Sequence, residues 1–244
     1  GVKQPDAPEV LAQSFFPNEA DPLWSLYSTR AVAHTIDSYS QFSFPYPYPN
    51  AISVNTWLGG GMEYPMISFN GYRPVKDEKT GVKTYTRNAK DGLVGVVIHE
   101  VGHNYFPMTV NSDERQWTWM DEGLNSFVEY LAEEEWENEW KHRRDERGMV
   151  SYLRSTDRVP VMTNSESIAD LGPNAYGQPT AALNILREGA SLVWKSSEGL
   201  MDQAVEPEVL VTNTNGISLL NHDGSPQPSA RRFPTPWNVF LMQA

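Results

Sequence analysis

Two histidines and a glutamate are spaced as H-E-x-x-H at residues 99–103. Residues four apart share one face of a helix, so His99 and His103 can direct two imidazoles at one metal ion while Glu100 faces the open coordination position. Two imidazoles and one carboxylate are a common donor set for catalytic zinc, which keeps a fourth position for water. The pattern predicts a metal site with a base beside it; the alternative is two surface histidines on an ordinary helix.

The third ligand is predicted to be Glu122, which follows the H-E-x-x-H run after eighteen intervening residues and opens the next expected helix. A carboxylate there can swing back against the first helix and complete a site of two His and one Glu. Asp121 and Glu114 are rival ligands, and an acidic residue in a first helical turn can also serve only to stabilise the helix dipole. The expected cofactor is one Zn²⁺ bound by His99, His103 and Glu122.

Other polar residues are expected to orient the metal ligands or to lie outside the site. A metal-bound imidazole usually donates its second N–H to an orienting partner, and Asn125 or Glu129 is expected to provide one. The remaining histidines have no partner at ligand spacing and are interpreted as structural or surface residues: His34, His142 and His222.

A site of this kind can hydrolyse an amide bond. Zinc lowers the pKa of bound water from ~15.7 toward ~7, and Glu100 can take the proton of that water and return it to the leaving amine. The tetrahedral intermediate also needs a donor for its oxyanion, for which Tyr176 is the candidate. Because Tyr176 is one of eleven tyrosines, a packing role is its alternative.

A glycine-rich extended segment offers a place for the substrate. Gly60, Gly61 and Met62 precede Glu63, and the missing side chains of the glycines let a ligand backbone approach closely. A carboxylate at position 63 is suited to the ammonium group of a peptide. We therefore expect these four residues to bind a peptide substrate.

Composition excludes several classes of protein. At 244 residues and 39% hydrophobic, the chain is long enough for one large domain with a small appendage. No stretch approaches the ~20 apolar residues of a membrane span, and without cysteine there are no disulfides or thiolate ligands. A net charge of −12 argues against nucleic acid as a partner, because phosphate binding needs a basic face.

Periodicity and turn residues predict a small sheet followed by a mainly helical part. The expected elements, in chain order, are a helix over Leu23 to Tyr39, an extended connector rich in proline and aromatics up to Asn50, two strands within Ala51 to Leu58 and Gly59 to Phe69, a helix capped by Asp91, a helix from near Asp121 to Lys141, and a helix over Thr180 to Glu188.

Taken together, these motifs resemble the gluzincin aminopeptidases, the zinc peptidase family of aminopeptidase N and leukotriene hydrolase. The family has H-E-x-x-H and a Glu at the same spacing. Its G-x-M-E-N exopeptidase motif is similar to residues 61–63, with Tyr64-Pro65 in place of Asn as in a bacterial branch reading G-G-M-E-Y-P. Its catalytic tyrosine precedes a helix ending L-N-x-L-R-E, similar to Tyr176 and Leu183 to Glu188, and its H-P-T-P-x-D-F-F stretch resembles residues 233–240.

The resemblance covers residues 45–188 and 232–240. It implies an α+β, thermolysin-like catalytic domain with Glu100 as base, Tyr176 as oxyanion stabiliser and Glu63 as amine anchor. The family's long β-rich domain and its C-terminal helical domain have no counterpart here, so the chain resembles a fragment whose flanking domains are missing. Gln178-Pro179 departs from the family pattern. The resemblance favours a periplasmic or secreted location.

Three segments are expected: residues 1–50 as a helix and connector, residues 51–188 as the zinc peptidase core, and residues 189–244 as an irregular C-terminal segment. The leading hypothesis is a zinc aminopeptidase that removes the N-terminal residue of a peptide by means of a metal-activated water. A thermolysin-like endopeptidase would share the zinc chemistry without needing Glu63. An inactive metal- and peptide-binding fragment would need neither Glu100 nor Tyr176.

Overall fold

A five-stranded sheet forms the first layer of the fold in this computed structural model, which describes residues 1–140, 142, 146–199, 210–211 and 217–218. Its strands are β1 (Val2–Gln4), β2 (Ala7–Phe15), β3 (Asn50–Asn55), β4 (Gly61–Tyr64) and β5 (Ile67–Asn70). The spatial order is β1-β2-β3-β5-β4. The three inner strands are parallel, whereas β1 and β4 run antiparallel to their neighbours. Strand β4, which carries Glu63, therefore lies at an edge of the sheet.

One helix lies between β2 and β3 along the chain, the other helices follow the sheet, and the first two helices pack beside it. A two-stranded hairpin of β6 (Val75–Lys76) and β7 (Lys83–Thr84) precedes the second helix. The helices are α1 (Leu23–Phe42), α2 (Arg87–Gly102), α3 (Leu124–Trp136), α4 (Glu146–Leu153) and α5 (Gln178–Gly199). Two π-helical turns, Trp119–Gly123 and Gly172–Gly177, run directly into α3 and α5, and 3-10 turns occupy Asn18–Ala20 and Ser165–Ser167. The predicted α+β class is confirmed.

Helix α2 lies at the centre of the packing, in contact with α1, α3 and the sheet. Every residue from 92 to 102 is buried, including the apolar side chains of Val94, Val97, Ile98 and Val101. Because residues 92–102 are covered by neighbouring elements, the His99 ring in this part of the helix, and the His103 ring that follows it, are shielded from solvent and need partners inside the protein. The alternative of two surface histidines is therefore wrong.

Residues 1–50 differ from the predicted separate helix and connector. Strand β2 pairs with β3 from Leu11↔Asn50 to Phe15↔Val54, so this segment supplies part of the main sheet. In the proline-rich stretch, Tyr46 is fully buried and its ring lies 5.4 Å from that of Tyr105. A stretch rich in proline and aromatic residues is typical of a linker, but here the aromatic rings pack in the core.

The helix boundaries also correct the prediction in two places. Helix α2 begins at Arg87, because Thr86 Oγ1 accepts the Ala89 N–H at 3.2 Å; Asp91 lies inside the helix and pairs with Arg87 instead of capping it. Helix α3 ends at Trp136 rather than reaching Lys141, since Glu137 leaves the helical conformation. Helix α1 extends the predicted span by three residues, to Phe42.

The chain divides into two compact units, Gly1–Ala181 and Ala182–Ala244. The first unit contains all the predicted metal-binding, catalytic and substrate-binding residues. In the second, β8 (Leu210–Val211) and β9 (Ile217–Ser218) form an antiparallel pair. The helix predicted over Thr180 to Glu188 is α5, which continues to Gly199, so the first part of the predicted irregular segment is helical.

Candidate metal centre and active site

The three predicted zinc ligands converge at the end of α2. His99 Nε2 lies 3.0 Å from Glu122 Oε2 and 3.1 Å from His103 Nε2, and His103 Nε2 lies 3.3 Å from the same Glu122 oxygen. Atoms bound to a tetrahedral zinc at ~2.0–2.2 Å are roughly 3.3–3.5 Å apart. With sides of 3.0–3.3 Å, the triangle of donors is slightly smaller than this but close to the size that one zinc ion requires.

The outer nitrogen of each imidazole fixes which tautomer is present. His103 Nδ1 lies 2.9 Å from the carbonyl oxygen of Phe106, which can only accept, so Nδ1 carries the proton. His99 Nδ1 is held in the same way by Glu129 Oε2 at 2.9 Å. In the neutral rings both Nε2 atoms then present lone pairs to each other and to Glu122. Facing lone pairs and a carboxylate repel unless a cation lies between them, so the donor set fits zinc.

Charge at this cluster leads to the same conclusion. Burial lowers the pKa of His99, but the carboxylates of Glu129 and Glu122 outweigh it and raise that pKa to about 9. Burial likewise lowers the pKa of His103, but Asp121 and Glu122 outweigh burial and leave that pKa well above its usual value. Burial raises the pKa of Glu122, yet hydrogen bonds from both histidines hold it well below the ordinary range. The cluster thus attracts positive charge, which protons or a divalent cation can supply.

The rival ligands lie elsewhere. Asp121 Oδ1 is 2.9 Å from His103 Nδ1, on the side of the ring that faces away from the donor triangle. Glu114 belongs to neither of the two groups of potential metal-binding side chains found among the described residues. Glu122 is therefore the carboxylate that the structure places with the two imidazoles.

Glu100 projects beside the donor triangle, as the sequence predicts for a base. Its side chain is buried, and one of its carboxylate oxygens lies within 4.8 Å of donor atoms of His103 and Glu63. Burial, with added repulsion from Glu63 and Glu122, raises the pKa of Glu100 to about 7 against the opposing effect of the two histidines. A carboxyl group with a pKa near neutrality can both accept and return a proton.

The predicted substrate segment lies on the neighbouring edge strand. Side chains alternate along β4, so Gly61 and Glu63 share the face toward α2, while Met62 and Tyr64 point to the opposite face. A Cβ at position 61 would overlap the Glu100 carboxylate, so glycine is required for this close approach. Gly60 is in the preceding loop, where its carbonyl accepts the Gly71 N–H at 2.8 Å. Glu63 and Gly61 thus lie by the metal site, whereas the Met62 side chain does not face it.

Tyr176 is brought to the metal site by the second π-helical turn. Its ring stacks on that of His99, with centroids 6.0 Å apart and planes inclined by 29°. The two π-helical turns carry Glu122 and Tyr176 and pack on each other, because Gly123 has no side chain to hold Pro179 and the Ala175 carbonyl away. π-Helical turns inside α-helices are often found at functional sites. Both of these turns were missed by the sequence analysis.

A buried polar network ties the histidine helix to its neighbours. Asn125 Nδ2 donates to the His99 carbonyl oxygen at 2.9 Å, and its Oδ1 accepts the Tyr39 hydroxyl at 2.9 Å. The two expected outer partners therefore act at different atoms: Glu129 orients the ring of His99, and Asn125 holds its backbone. Tyr39, 86 residues from Asn125, carried no local sequence signal for this role.

The other histidines within the described residues have structural partners. His34 Nε2 lies 2.7 Å from the Ala132 carbonyl oxygen. His142 Nδ1 lies 2.8 Å from Glu133 Oε2, and its ring stacks on Tyr130 at a centroid distance of 3.6 Å. These contacts agree with the structural interpretation of both residues. His222 lies outside the described residues.

Fold and site together define a metallopeptidase-type centre, and comparison with known proteins assigns its family. Residues 24–179 match the peptidase family M1 domain, so the chain belongs to peptidase family M1. The predicted family is thereby confirmed, while the G-G-M-E-Y-P branch stays a prediction.

Several curated relatives are similar over about half of the chain. Aminopeptidase M1 of Arabidopsis thaliana is 29% identical over 113 residues, which are 45% of this chain and 12% of the relative. Glutamyl aminopeptidase of Mus musculus is 25% identical over 134 residues, which are 54% of this chain and 13% of the relative. The chain thus matches only a small part of the length of these relatives.

A solved structure is also similar. The M1 zinc metallopeptidase from Deinococcus radiodurans shares 19% identity at a TM-score of 0.49, with 74% of this chain and 39% of that chain covered.

Among the described residues, none of the helices is both long enough and apolar enough to cross a membrane.

Proposed function

We propose that this chain is the catalytic part of a zinc aminopeptidase that hydrolyses the N-terminal peptide bond of a peptide. The observation that carries the proposal is the convergence of Glu63, Glu100 and His103, whose donor atoms lie within 4.8 Å of one another beside the zinc-ligand triangle. An amine-binding carboxylate, a base and a metal ligand are thereby combined within reach of one scissile bond.

Each residue has a distinct task in this proposal. His99, His103 and Glu122 hold the zinc, which when bound acidifies a water molecule and polarises the substrate carbonyl. Glu100 accepts the proton of the attacking water and delivers it to the leaving amine. Tyr176, stacked on His99, donates its phenolic hydrogen to the oxygen that becomes negative in the tetrahedral intermediate.

Strand β4 supplies the substrate-binding edge. An extended peptide can add to a sheet edge through main-chain hydrogen bonds, and β4 is the terminal strand of the five-stranded sheet. Glu63 on the inner face of β4 would pair with the peptide's ammonium group and so limit cleavage to the first peptide bond. The aminopeptidase names of the relatives support this specificity over that of an endopeptidase.

The first test separates chemistry from binding. In Glu100→Gln the side chain keeps its shape but cannot accept the proton, so hydrolysis of a peptide amide should fall by about 10²- to 10⁴-fold. Zinc content, measured by elemental analysis, should stay at one ion per chain. Turnover close to that of the parent would show that Glu100 is not the base.

The second test addresses the amine anchor. A peptide with a free N-terminus and its N-acetylated counterpart are compared on the zinc-loaded chain and on Glu63→Gln. The parent should strongly prefer the free amine, and Glu63→Gln should lose most of that preference. Equal rates on both peptides, or cleavage within longer peptides, would favour the endopeptidase. Zinc and peptide binding without any cleavage would favour the inactive fragment.

A further inference from the structure

An exposed aromatic ring and a guanidinium group are stacked on each other at the end of the main sheet. The guanidinium carbon of Arg73 lies 3.6 Å from the centroid of the Trp57 ring, and Trp57 is 83% exposed. Arg73 Nε donates to Asn55 Oδ1 at 2.6 Å, so the guanidinium is held from a second side. We call Trp57 and Arg73 the Trp–Arg platform, and it includes none of the residues assigned to zinc, base or amine.

The Trp–Arg platform lies on the same face of the sheet as the active site. Asn55 on β3 is the register partner of Asn70 on β5, which is in turn the register partner of Gly61 on β4. Directly neighbouring residues of adjacent strands point to the same face. Gly61 faces the Glu100 carboxylate, so Asn55 and the guanidinium that it holds are on this face too. Two strand spacings of ~4.8 Å place the Asn55 backbone roughly 10 Å from that of Gly61.

A bound peptide would run toward the Trp–Arg platform. This step rests on the proposed function, in which the peptide amine pairs with Glu63 and the first peptide bond lies beside Glu100. Because the Glu100 carboxylate lies against Gly61, the peptide must run from position 63 toward position 61, antiparallel to β4. Its later residues then pass Gly60 and approach the segment that carries Trp57.

The guanidinium group is suited to a carboxylate of the ligand. Among the described residues Arg73 forms no ion pair, and its hydrogen bond to Asn55 uses only the Nε–H. The donors on its two terminal nitrogens can bind a carboxylate through two parallel hydrogen bonds. Stacking on the Trp57 ring fixes the plane of the guanidinium before a ligand arrives. In a chain with a net charge of −12, the fold thus keeps this cation away from the protein's own acids.

We propose that the Trp–Arg platform is a subsite that binds a carboxylate of the peptide, downstream of the bond to be cleaved. Extended chain covers ~3.3 Å per residue, so a separation of roughly 10 Å corresponds to the third or fourth residue of the peptide. A carboxylate there can be the C-terminus of a short peptide or an acidic side chain of a longer one. The substrates selected are therefore peptides with negative charge at this distance from their N-terminus.

The kinetic test compares one tetrapeptide with neutral side chains as the free acid and as the C-terminal amide, on the zinc-loaded chain. The free acid should have the higher kcat/KM by about three- to tenfold, mainly through a lower KM, because the ion pair is present in the bound ground state as well. An amidated pentapeptide with Glu or Gln at the third or fourth residue tests the side chain as the source of the carboxylate.

Variants assign the preference to the Trp–Arg platform. Arg73→Gln should cleave acid and amide alike, at the parent's rate for the amide. Arg73→Lys keeps the charge without the planar fork and should keep only part of the preference, as should Trp57→Ala, which removes the stacking surface. Lys79→Gln removes an exposed positive charge from the turn between β6 and β7, so it is the matched control and should keep the full preference. Zinc content and thermal unfolding verify that each variant is folded.

Equal rates on acid and amide in the parent, with no response to Glu at either position, would overturn the proposal. A preference that survives Arg73→Gln would do the same. If no form of the chain cleaves any peptide, the proposed function fails and binding decides the subsite. Calorimetric titration of zinc-loaded Glu100→Gln with the same peptides should then show tighter binding of the free acid, and adding Arg73→Gln should abolish the difference. Equal binding of acid and amide, or no binding of either, would refute the subsite.

Discussion

The metal-binding half and the substrate-binding half of this site are built differently. On the metal side, the outer nitrogen of each imidazole is paired, His99 with Glu129 and His103 with the Phe106 carbonyl, and the supporting helices are buried. On the substrate side, Glu63 stands on an edge strand and Glu100 is buried without a hydrogen-bond partner among the described residues. The protein thus completes the metal side by itself and leaves the substrate side to be completed by a ligand.

This difference separates the effects of substitution. Changes around the histidines should alter zinc affinity, because they disturb groups that preorganise the ligands. Changes on the substrate side should alter turnover while zinc stays bound. Four substitutions test this division, in order of decreasing effect.

Tyr176→Phe tests a residue whose ring stacks on a metal ligand but whose proposed role is to donate a hydrogen bond to the substrate. Loss of one oxyanion donor should reduce kcat by about 10²- to 10³-fold with a much smaller change in KM. Steady-state kinetics on a free-amine peptide, with zinc content measured in parallel, provides the test. An unaltered kcat would return Tyr176 to a packing role, and loss of zinc would assign it to the metal side.

Glu129→Gln tests the metal side directly. The amide can still accept from His99 Nδ1, but without charge, so zinc affinity should fall by about 10- to 100-fold. Competition with a calibrated chelator measures the dissociation constant. Glu134→Gln, an exposed position on the same helix, is the control and should bind zinc as the parent does. Equal affinity in Glu129→Gln would show that the contact does not support the ligand.

Gly123→Ala tests the packing that joins the two sides. The added methyl group would overlap Pro179 and lie 2.8 Å from the Ala175 carbonyl oxygen, forcing apart the turns that carry Glu122 and Tyr176. Overpacking of this kind costs about 1–3 kcal/mol, and kcat should fall with it. In Gly172→Ala the nearest atom is Asp170 Oδ1 at 3.4 Å, so that variant should resemble the parent in thermal unfolding and kinetics. Similar behaviour of the two alanine variants would exclude the close-packing argument.

Tyr39→Phe probes the network behind α2 and should have the smallest effect on activity. Removing the hydroxyl leaves Asn125 Oδ1 buried without its donor, which costs about 1–3 kcal/mol of unfolding free energy. Denaturant unfolding measures this loss. Tyr64→Phe, at a half-exposed ring on β4, should change stability by no more than ~0.5 kcal/mol. A loss in Tyr64→Phe as large as in Tyr39→Phe would contradict the role given to the network.

The sequence predicted those parts of the site that depend on local spacing. The separation of His99 and His103 on one helix, and the position of Glu122 at the next helical element, follow from helix periodicity. Glu129 was identified as an outer partner because it lies on the same helix as the third ligand. Such features are encoded within a few turns of chain.

Features that depend on distant contacts were not predicted. The strand Ala7–Phe15 pairs with residues about forty positions later, and the link from Tyr39 to Asn125 spans 86 positions. The two π-helical turns arise where one turn packs on another through Gly123, which no periodicity in the sequence indicates. The helix start at Thr86 was also missed, since Asp91 is equally suited to cap a helix.

The most direct test of the account is to locate the metal. A crystal of the chain loaded with one equivalent of Zn²⁺, measured on both sides of the zinc absorption edge, should show one anomalous peak ~2.0–2.2 Å from His99 Nε2, His103 Nε2 and a Glu122 oxygen. Glu100 should lie beside that peak without binding it. A peak between Glu63 and Glu100 with the histidine triangle unfilled, or no peak in the zinc-loaded chain, would contradict the account.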